Sequence, residues 1–175
     1  MAEALSIRAL AAADLAAYKR LRDVTLAAEP EAFMSDAAEE LPKSAQSYLP
    51  RLGLDRPEGG QFTLGAFFGG EQQLVGAVTC ERELRVKGRH IGHVAGMMVL
   101  AGARGQGVGR RLLADCIALA RLASGMEMLT LSVTATNRTA VGLYARAGFT
   151  RYGTLVHAIK LGGQYHDKDL MVLTL

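Results

Sequence analysis

Between Met98 and Leu113 the sequence runs MVLAGARGQGVGRRLL, placing four glycines (Gly102, Gly105, Gly107, Gly109) and three arginines (Arg104, Arg110, Arg111) between two apolar segments. Glycine inside a regular element costs about 0.5–1 kcal/mol relative to alanine, so this density needs a physical reason. A strand that runs straight into a helix leaves the first helical N–H groups unpaired and the positive end of the helix dipole exposed. Glycines let the backbone curl until several of those N–H groups converge on one point. The result is an anion cradle, most often for phosphate. Two phosphate-binding designs fail on their own residues. A P-loop requires Lys and Ser/Thr after its second glycine, where Val108 and Gly109 stand, and the dinucleotide fingerprint requires a third glycine where Arg110 stands.

A second constellation lies one element further on. Asn137 and Tyr144 are seven residues apart, two helical turns, and so project from one face. A phenol with an ordinary pKa of ~10 keeps its proton at neutral pH and can offer it to a departing group. Taken singly, Asn137 is also an ordinary helix N-cap and Tyr144 an ordinary aromatic at the edge of a core.

Taken together, the two segments resemble one family. Arg104–Gly109, RGQGVG, is similar to the Q/R-x-x-G-x-G/A signature of the GCN5-related N-acetyltransferases (GNAT). Asn137–Phe149, NRTAVGLYARAGF, is similar to the N-x-x-A-x-x-L-Y-x-x-x-G-F segment that follows one strand later in that family. The likeness is close from Arg89 to Phe149, and the element order extends it over the chain, with residues 29–60 covered least. It implies acetyl-CoA as cosubstrate and no metal. Arg104, Gly105, Gln106, Gly107, Val108, Gly109 and Arg110 would hold the CoA pyrophosphate, while Met97, Met98 and Val99 would carry the pantetheine and thioester. The Val99 N–H would serve the oxyanion, Asn137 would bond the pantetheine arm, and Tyr144 would be the general acid for the CoA sulfur.

The same resemblance implies a primary amine acceptor, of a small molecule, attacking directly in a ternary complex. A protein or peptide acceptor, a nonenzymatic acyl-CoA sensor and a nucleotide-binding protein are the alternatives. The attacking amine must be neutral, so a base is needed. His93 is one candidate, with Glu81 and Glu83 on the preceding strand as others, and a purely structural His93 is the competing reading. The family draws its acceptor pocket from the first-helix region and the last hairpin, which brings forward Phe33, Glu39, Tyr165 and Asp167 together with Glu81. The run EPEAFMSDAAEE (29–40) holds five acids and no base. It is either a lure for a cationic amine or a solvated loop.

These residues need positioning elements. Leu5–Leu10 predicts a short strand, and Asp14 can N-cap a helix in which Leu15, Tyr18, Leu21 and Val24 recur to about Ala28. Every proline (Pro30, Pro42, Pro50, Pro57) falls in the irregular stretch up to Gly60, with a short helix over Ser44–Leu52. Strands QFTLGAFF, QLVGAVTCERELRV and RHIGHVAGMMVL follow, with turns at Gly69-Gly70 and Lys87-Gly88. Then come a helix with Val108, Leu112, Cys116, Leu119 and Ala123 on one stripe, ending near Ser124-Gly125, and a strand over 128–133. A helix over Asn137–Ala147 closed by Gly148, a strand from Phe149, a turn at Gly162-Gly163 and a last strand, DLMVLTL, complete the order. The expected fold is α/β (α+β), with a mixed, mostly antiparallel sheet of about seven strands flanked by about four helices, in one domain spanning 1–175.

Composition bounds the function classes. The net charge of +3 and pI of about 9.0 are mildly basic, but the charges are scattered and aromatics make up only 6%. That argues against a nucleic-acid partner. Cys80 and Cys116 stand 36 residues apart among apolar neighbours, as reduced core thiols of a cytoplasmic protein. No apolar run reaches the ~18 residues of a membrane span, and charges interrupt the N-terminal segment, so neither membrane nor export is expected. His90 and His93, on a strand, would point to opposite faces and not form a metal pair. A homodimer is compatible with all of this.

Overall fold

The computed structural model describes residues 4–55, 59–69 and 73–175. Gly70 of the first expected turn and Pro57 lie outside the described residues. Seven strands form one sheet: β1 (Ser6–Ala9), β2 (Phe62–Phe68), β3 (Gln73–Arg82), β4 (Ile91–Val99), β5 (Met128–Thr134), β6 (Thr150–Leu161) and β7 (Gln164–Thr174), in the spatial order β1-β2-β3-β4-β5-β7-β6. Every neighbouring pair is antiparallel except β4 and β5. Four α-helices, α1 (Leu15–Ala28), α2 (Ala37–Glu40), α3 (Val108–Leu122) and α4 (Arg138–Arg146), flank it, with a 3-10 helix over Ala45–Leu52.

Two cores sandwich the sheet. Val108, Leu112, Leu113, Cys116, Ile117 and Ala120 of α3 and Tyr144 of α4 pack on one face against Leu64, Val78, Cys80, Leu129 and Val133. On the other face, Leu15, Tyr18 and Leu21 of α1 meet Tyr48, Leu52, Ala77 and Met98. Burying each such side chain contributes ~1.5–3 kcal/mol, so these two layers fix the position of everything between them. The α3 stripe is rotated slightly from the expected one: Leu119 is 36% exposed and Leu113 and Ile117 are buried instead. Asp14 does not cap α1 with its side chain. It accepts from the Ala11 N–H (2.7 Å) and pairs with Arg8 (2.7 Å), which holds its carboxyl below the usual range. The last strand begins at Gln164, five residues before the expected Asp169.

The feature that makes room for a site is the join between β4 and β5. The two strands pair only over Ile91–His93 and Met128–Thr130, then diverge. Just beyond the last pair, β4 carries a bulge: Thr79 faces Ala95 and Ala77 faces Met98, so two residues, Gly96 and Met97, oppose one. Gly96 adopts a left-handed φ of +56°, which a Cβ would strain. The bulge bends β4 away from β5 and opens the gap.

Candidate functional site

Two adjoining cavities occupy the gap. The larger, about 670 Å³, runs from Met97 and Val99 along the glycine turn to Arg110 and is closed by Thr136, Leu143 and Arg146. The smaller, about 290 Å³, lies deeper, with Glu81, Gly96, Ser132, Lys168 and Tyr144 among its walls. Glu29, Ala32, Phe33, Met97, Asn137 and Ala140 line both. The segment carrying Glu29–Phe33 is pinned over the gap because the Thr134 hydroxyl donates to the Glu31 carbonyl (2.7 Å).

The glycine turn is built as a cradle. Gly105 (φ +76°) and Gly107 (φ +80°) are left-handed, and Gly107 is the N-cap of α3. Among the described residues, the N–H groups of residues 105–110 have no acceptor; the first helical bond is donated by Arg111 to the Gly107 carbonyl. A Cβ on Gly102, Gly105 or Gly107 would meet nothing within 4 Å, so the concavity is open. Six consecutive free donors at a helix dipole's positive end suit a polyanion such as a pyrophosphate. Arg110 lines the larger cavity. Arg104 does too, but its guanidinium is already engaged: Nε and Nη2 donate to the Val99 carbonyl (both 3.2 Å), and Nη2 pairs with Glu29. Gln106 turns back to donate to the Gly102 carbonyl (3.0 Å) and does not line the cavity.

Strand geometry decides where Val99 points. The Leu100 N–H donates to Val75 (2.8 Å) and Val99 faces Gly76. Alternation along an antiparallel pair therefore turns the Val99 N–H and carbonyl away from β3, into the gap. With the carbonyl held by Arg104, the N–H is the donor left facing the cavity. Met97 and Val99 pack toward α3 and α4; Met98 also lines the larger cavity, although it is 1% exposed and belongs to the opposite core.

Asn137 is the helix cap that one reading expected, its side chain accepting from the Ala140 N–H (3.1 Å), and it also lines both cavities. Tyr144, two turns on, is buried edge-to-face against Phe149 (6.0 Å) and lines the smaller cavity. Burial, with the Cys116 thiol nearby, pushes its phenol up to about 12. Its hydroxyl has no hydrogen-bond partner among the described residues.

Several expected residues lie elsewhere. His93 is exposed at the closed end of the gap, its Nδ1 2.6 Å from the Thr130 hydroxyl, and lines neither cavity; Glu81, directly opposite it on β3, does line one. Glu83 has left the strand and pairs with Arg85 (2.7 Å). Glu39 is exposed because α2 turns Glu40, and not Glu39, inward. Tyr165 sits at the far end of the last hairpin, stacked on His157 (4.5 Å). Asp167 accepts from the His157 N–H (2.8 Å). The acids of 29–40 are largely spent: Glu29 on Arg104, Asp36 as the cap of α2, Glu40 on Arg22 (3.1 Å), Lys43 (2.5 Å) and Tyr48 (2.5 Å). Residues missed from the sequence include Arg51, Ser132, Lys168 and Arg146; Arg146 stands at an unspecified position of the Asn137–Phe149 segment, and no spacing singled out the others. Cys80 and Cys116 are buried away from both cavities.

The comparisons with known proteins agree with this architecture. The model of the acetyltransferase (GNAT) family matches residues 21–149. No curated protein matches the chain. Among solved structures, a GNAT-family acetyltransferase from Streptococcus pneumoniae is similar at 25% identity, covering 98% of this chain and 100% of its own, with a TM-score of 0.86. A ribosomal-protein-alanine N-acetyltransferase from Brucella melitensis is similar at 26% identity (97% and 99% covered, TM-score 0.77). A proposed acetyltransferase from Salmonella typhimurium, solved with its cofactor acetyl-CoA, shares the fold at 20% identity (98% and 94% covered, TM-score 0.84). With the family model spanning the glycine cradle, the splayed strands and the Asn137–Phe149 helix alike, the chain belongs to the GNAT acetyltransferase family and is an acetyl-CoA-dependent acetyltransferase.

Proposed function

We propose that the chain acetylates the primary amine of a small molecule by direct attack within a ternary complex. The observation that carries this reading is the pairing of an open cradle of unpartnered amides, at residues 105–110, with a second, deeper polar cavity of about 290 Å³ reached through the same gap. The residues fit acetyl-CoA: the cradle amides and Arg110 would hold its pyrophosphate, and Met97, Val99 and Asn137 its pantetheine arm. When bound, acetyl-CoA supplies the activated acetyl thioester.

The protein's own groups supply the rest. The Val99 N–H is a fixed donor for the carbonyl oxygen as it gains charge. The Tyr144 hydroxyl, protonated throughout the physiological range, donates to the departing sulfur. We assign proton acceptance from the ammonium to Glu81, the carboxylate on the deeper cavity's wall that no Lys or Arg engages among the described residues, with the exposed His93 opposite it as an outlet toward water. Phe33 and Met34 cover the smaller cavity, whose volume suits a compact acceptor better than an extended peptide. Thiol release from acetyl-CoA against a panel of amines, amino acids, aminoglycosides and peptides tests the reading. Acetylation of small amines is expected. Acetylation of peptide N-termini alone would replace it with a protein-directed activity, and acetyl-CoA binding with no acceptor consumed would make the chain a sensor.

A further inference from the structure

The charges lining the deeper cavity do not balance, and the imbalance describes the acceptor. Glu29 is neutralised by Arg104. Glu40, behind the wall, is shared between Arg22 and Lys43, and the Arg22 Nε is buried without an acceptor among the described residues. Arg51 makes no side-chain hydrogen bond or ion pair among the described residues. Lys168 is 7% exposed and, among the described residues, its ammonium reaches only the neutral Ser132 hydroxyl, at 3.4 Å. Three cations thus face one cavity, and among the described residues Glu81 is the carboxylate on its wall that lacks a cation partner.

Two of the donors also come close to one point. The Arg51 Nη1 lies 3.5 Å, and the Tyr18 hydroxyl 3.7 Å, from the point where a Cβ on Gly96 would stand, beside the bulge that opens the gap. Tyr18 is fully buried and its hydroxyl has no hydrogen-bond partner among the described residues. A buried donor left unsatisfied costs ~1–3 kcal/mol, more for a charged one, and a bound oxyanion removes that cost. Burial also pushes the Lys168 ammonium below its usual range, which a nearby anion would reverse.

Resting on the acetyltransferase reading above, we propose that the acceptor is an amino acid-type molecule: its amine faces Glu81, and its carboxylate, or an equivalent oxyanion, is held by Arg51 and Lys168 with the orphan donors of Arg22 and Tyr18. The gap admits the amine end toward Tyr144 and Met97, while the charged end stays by the Gly96 bulge.

The test is thiol release at saturating acetyl-CoA with matched pairs, each amino acid against the amine that lacks its carboxylate. One charge-assisted interaction of ~1.5–3 kcal/mol predicts that the amino acid is preferred by roughly 10- to 150-fold in kcat/KM. Arg51→Ala should raise the KM of the amino acid about 10-fold or more and erase most of the preference, leaving the KM of acetyl-CoA and of the bare amine unchanged, and Arg51→Lys should restore part. An unchanged melting temperature guards against misfolding. Equal use of both members of each pair, or an Arg51→Ala variant with the parent's KM, would overturn the proposal. Acetyl-CoA binding without acetylation of any carboxylate-bearing amine would also overturn it while leaving the cosubstrate reading intact, whereas failure to bind acetyl-CoA would remove that reading itself.

Discussion

Replacing Tyr144 by Phe removes one oxygen and nothing else, and the structure allows the size of the effect to be worked out. The phenol sits at about 12 because it is buried and near Cys116. A CoA thiol resembles a cysteine thiol, with a pKa of ~8.5. Complete transfer of the phenolic proton to such a thiolate would be uphill by about 3.5 units, about 5 kcal/mol, too steep to help the reaction. In the proposed mechanism the hydroxyl would therefore act as a hydrogen-bond donor to the sulfur as charge develops, with the thiol's proton arriving from the ammonium or from water. A hydrogen bond to a charged acceptor is worth ~1.5–3 kcal/mol, so Tyr144→Phe should lower kcat by roughly 10- to 150-fold.

The same geometry says what should not change. Among the described residues the hydroxyl makes no hydrogen bond, and the ring keeps its edge-to-face contact with Phe149 at 6.0 Å. The melting temperature should move by no more than about 2 °C, and the Kd of acetyl-CoA by less than about twofold, as for a group that acts only while charge develops. Because the raised pKa extends the protonated range upward, the wild-type kcat should show no alkaline loss from this group below about pH 11. Steady-state thiol release, calorimetric binding and a pH profile read these three quantities. An unchanged kcat, a loss of affinity equal to the loss of rate, or an alkaline limb near pH 10 that the variant abolishes would refute the reasoning.

Gly107→Val places a branched side chain at φ +80°, where an L-residue pays ~1–2 kcal/mol, and its Cβ points into the open cradle; acetyl-CoA affinity should fall more than about 10-fold by calorimetry, and retained affinity would remove the pyrophosphate from this turn. Glu40 is held at about 2 against an ordinary 4.5 by Lys43, Tyr48 and Arg22, overcoming its own burial. Its stabilising contribution is present above pH 4.5 and lost as pH falls toward 2, amounts to at most about 3 kcal/mol, and should vanish in Glu40→Gln, which ought to melt about 5–10 °C lower at pH 7 and show a flatter acid limb; an unchanged acid limb would contradict it. Cys80 and Cys116 are fully buried, and the Cys116 thiol is pushed up by its hydrogen bond with Cys80 and by burial. Neither should react with an aromatic disulfide reagent until the protein unfolds, and alkylating agents should leave turnover intact; inactivation that tracks modification of one thiol in the folded protein would reopen a covalent route.

What could be read from the chain without its structure was the part that local backbone physics dictates. The cradle, the Asn137 cap, the α4 face carrying Tyr144 and the strand-helix order all follow from spacing within a dozen residues. Phe33 and Glu81 reached the deeper cavity's wall, but Glu39 and Tyr165 did not, because a four-residue helix gives no periodicity from which to choose a face and β7, which carries Tyr165, pairs with a β6 whose register shifts twice. The bulge at Gly96 is a matter of register between β3 and β4, and register depends on two strands at once.

The sign of the pocket is the sharpest instance. Residues 29–40 taken alone are an acidic stretch suited to a cation. Yet Glu29, Asp36 and Glu40 each spend their charge or lone pairs on partners, Arg104 from 75 positions away and Arg22 from 18, while Arg51 and Lys168 arrive from distant segments and pair with no carboxylate among the described residues; the acids flanking Lys168 are spent elsewhere, Asp167 on the His157 N–H and Asp169 on Thr154 and Arg151. A cavity's field is set by which charges are left over after pairing, and pairing across the sheet is a property of the fold. An acidic loop can thus stand above a pocket that favours an anion. Reversing the leftover charge should reverse the preference: Arg51→Glu would favour the bare amine over its amino acid, a discrimination that acceptor competition assays measure directly, and one that no change in the acidic loop itself would produce.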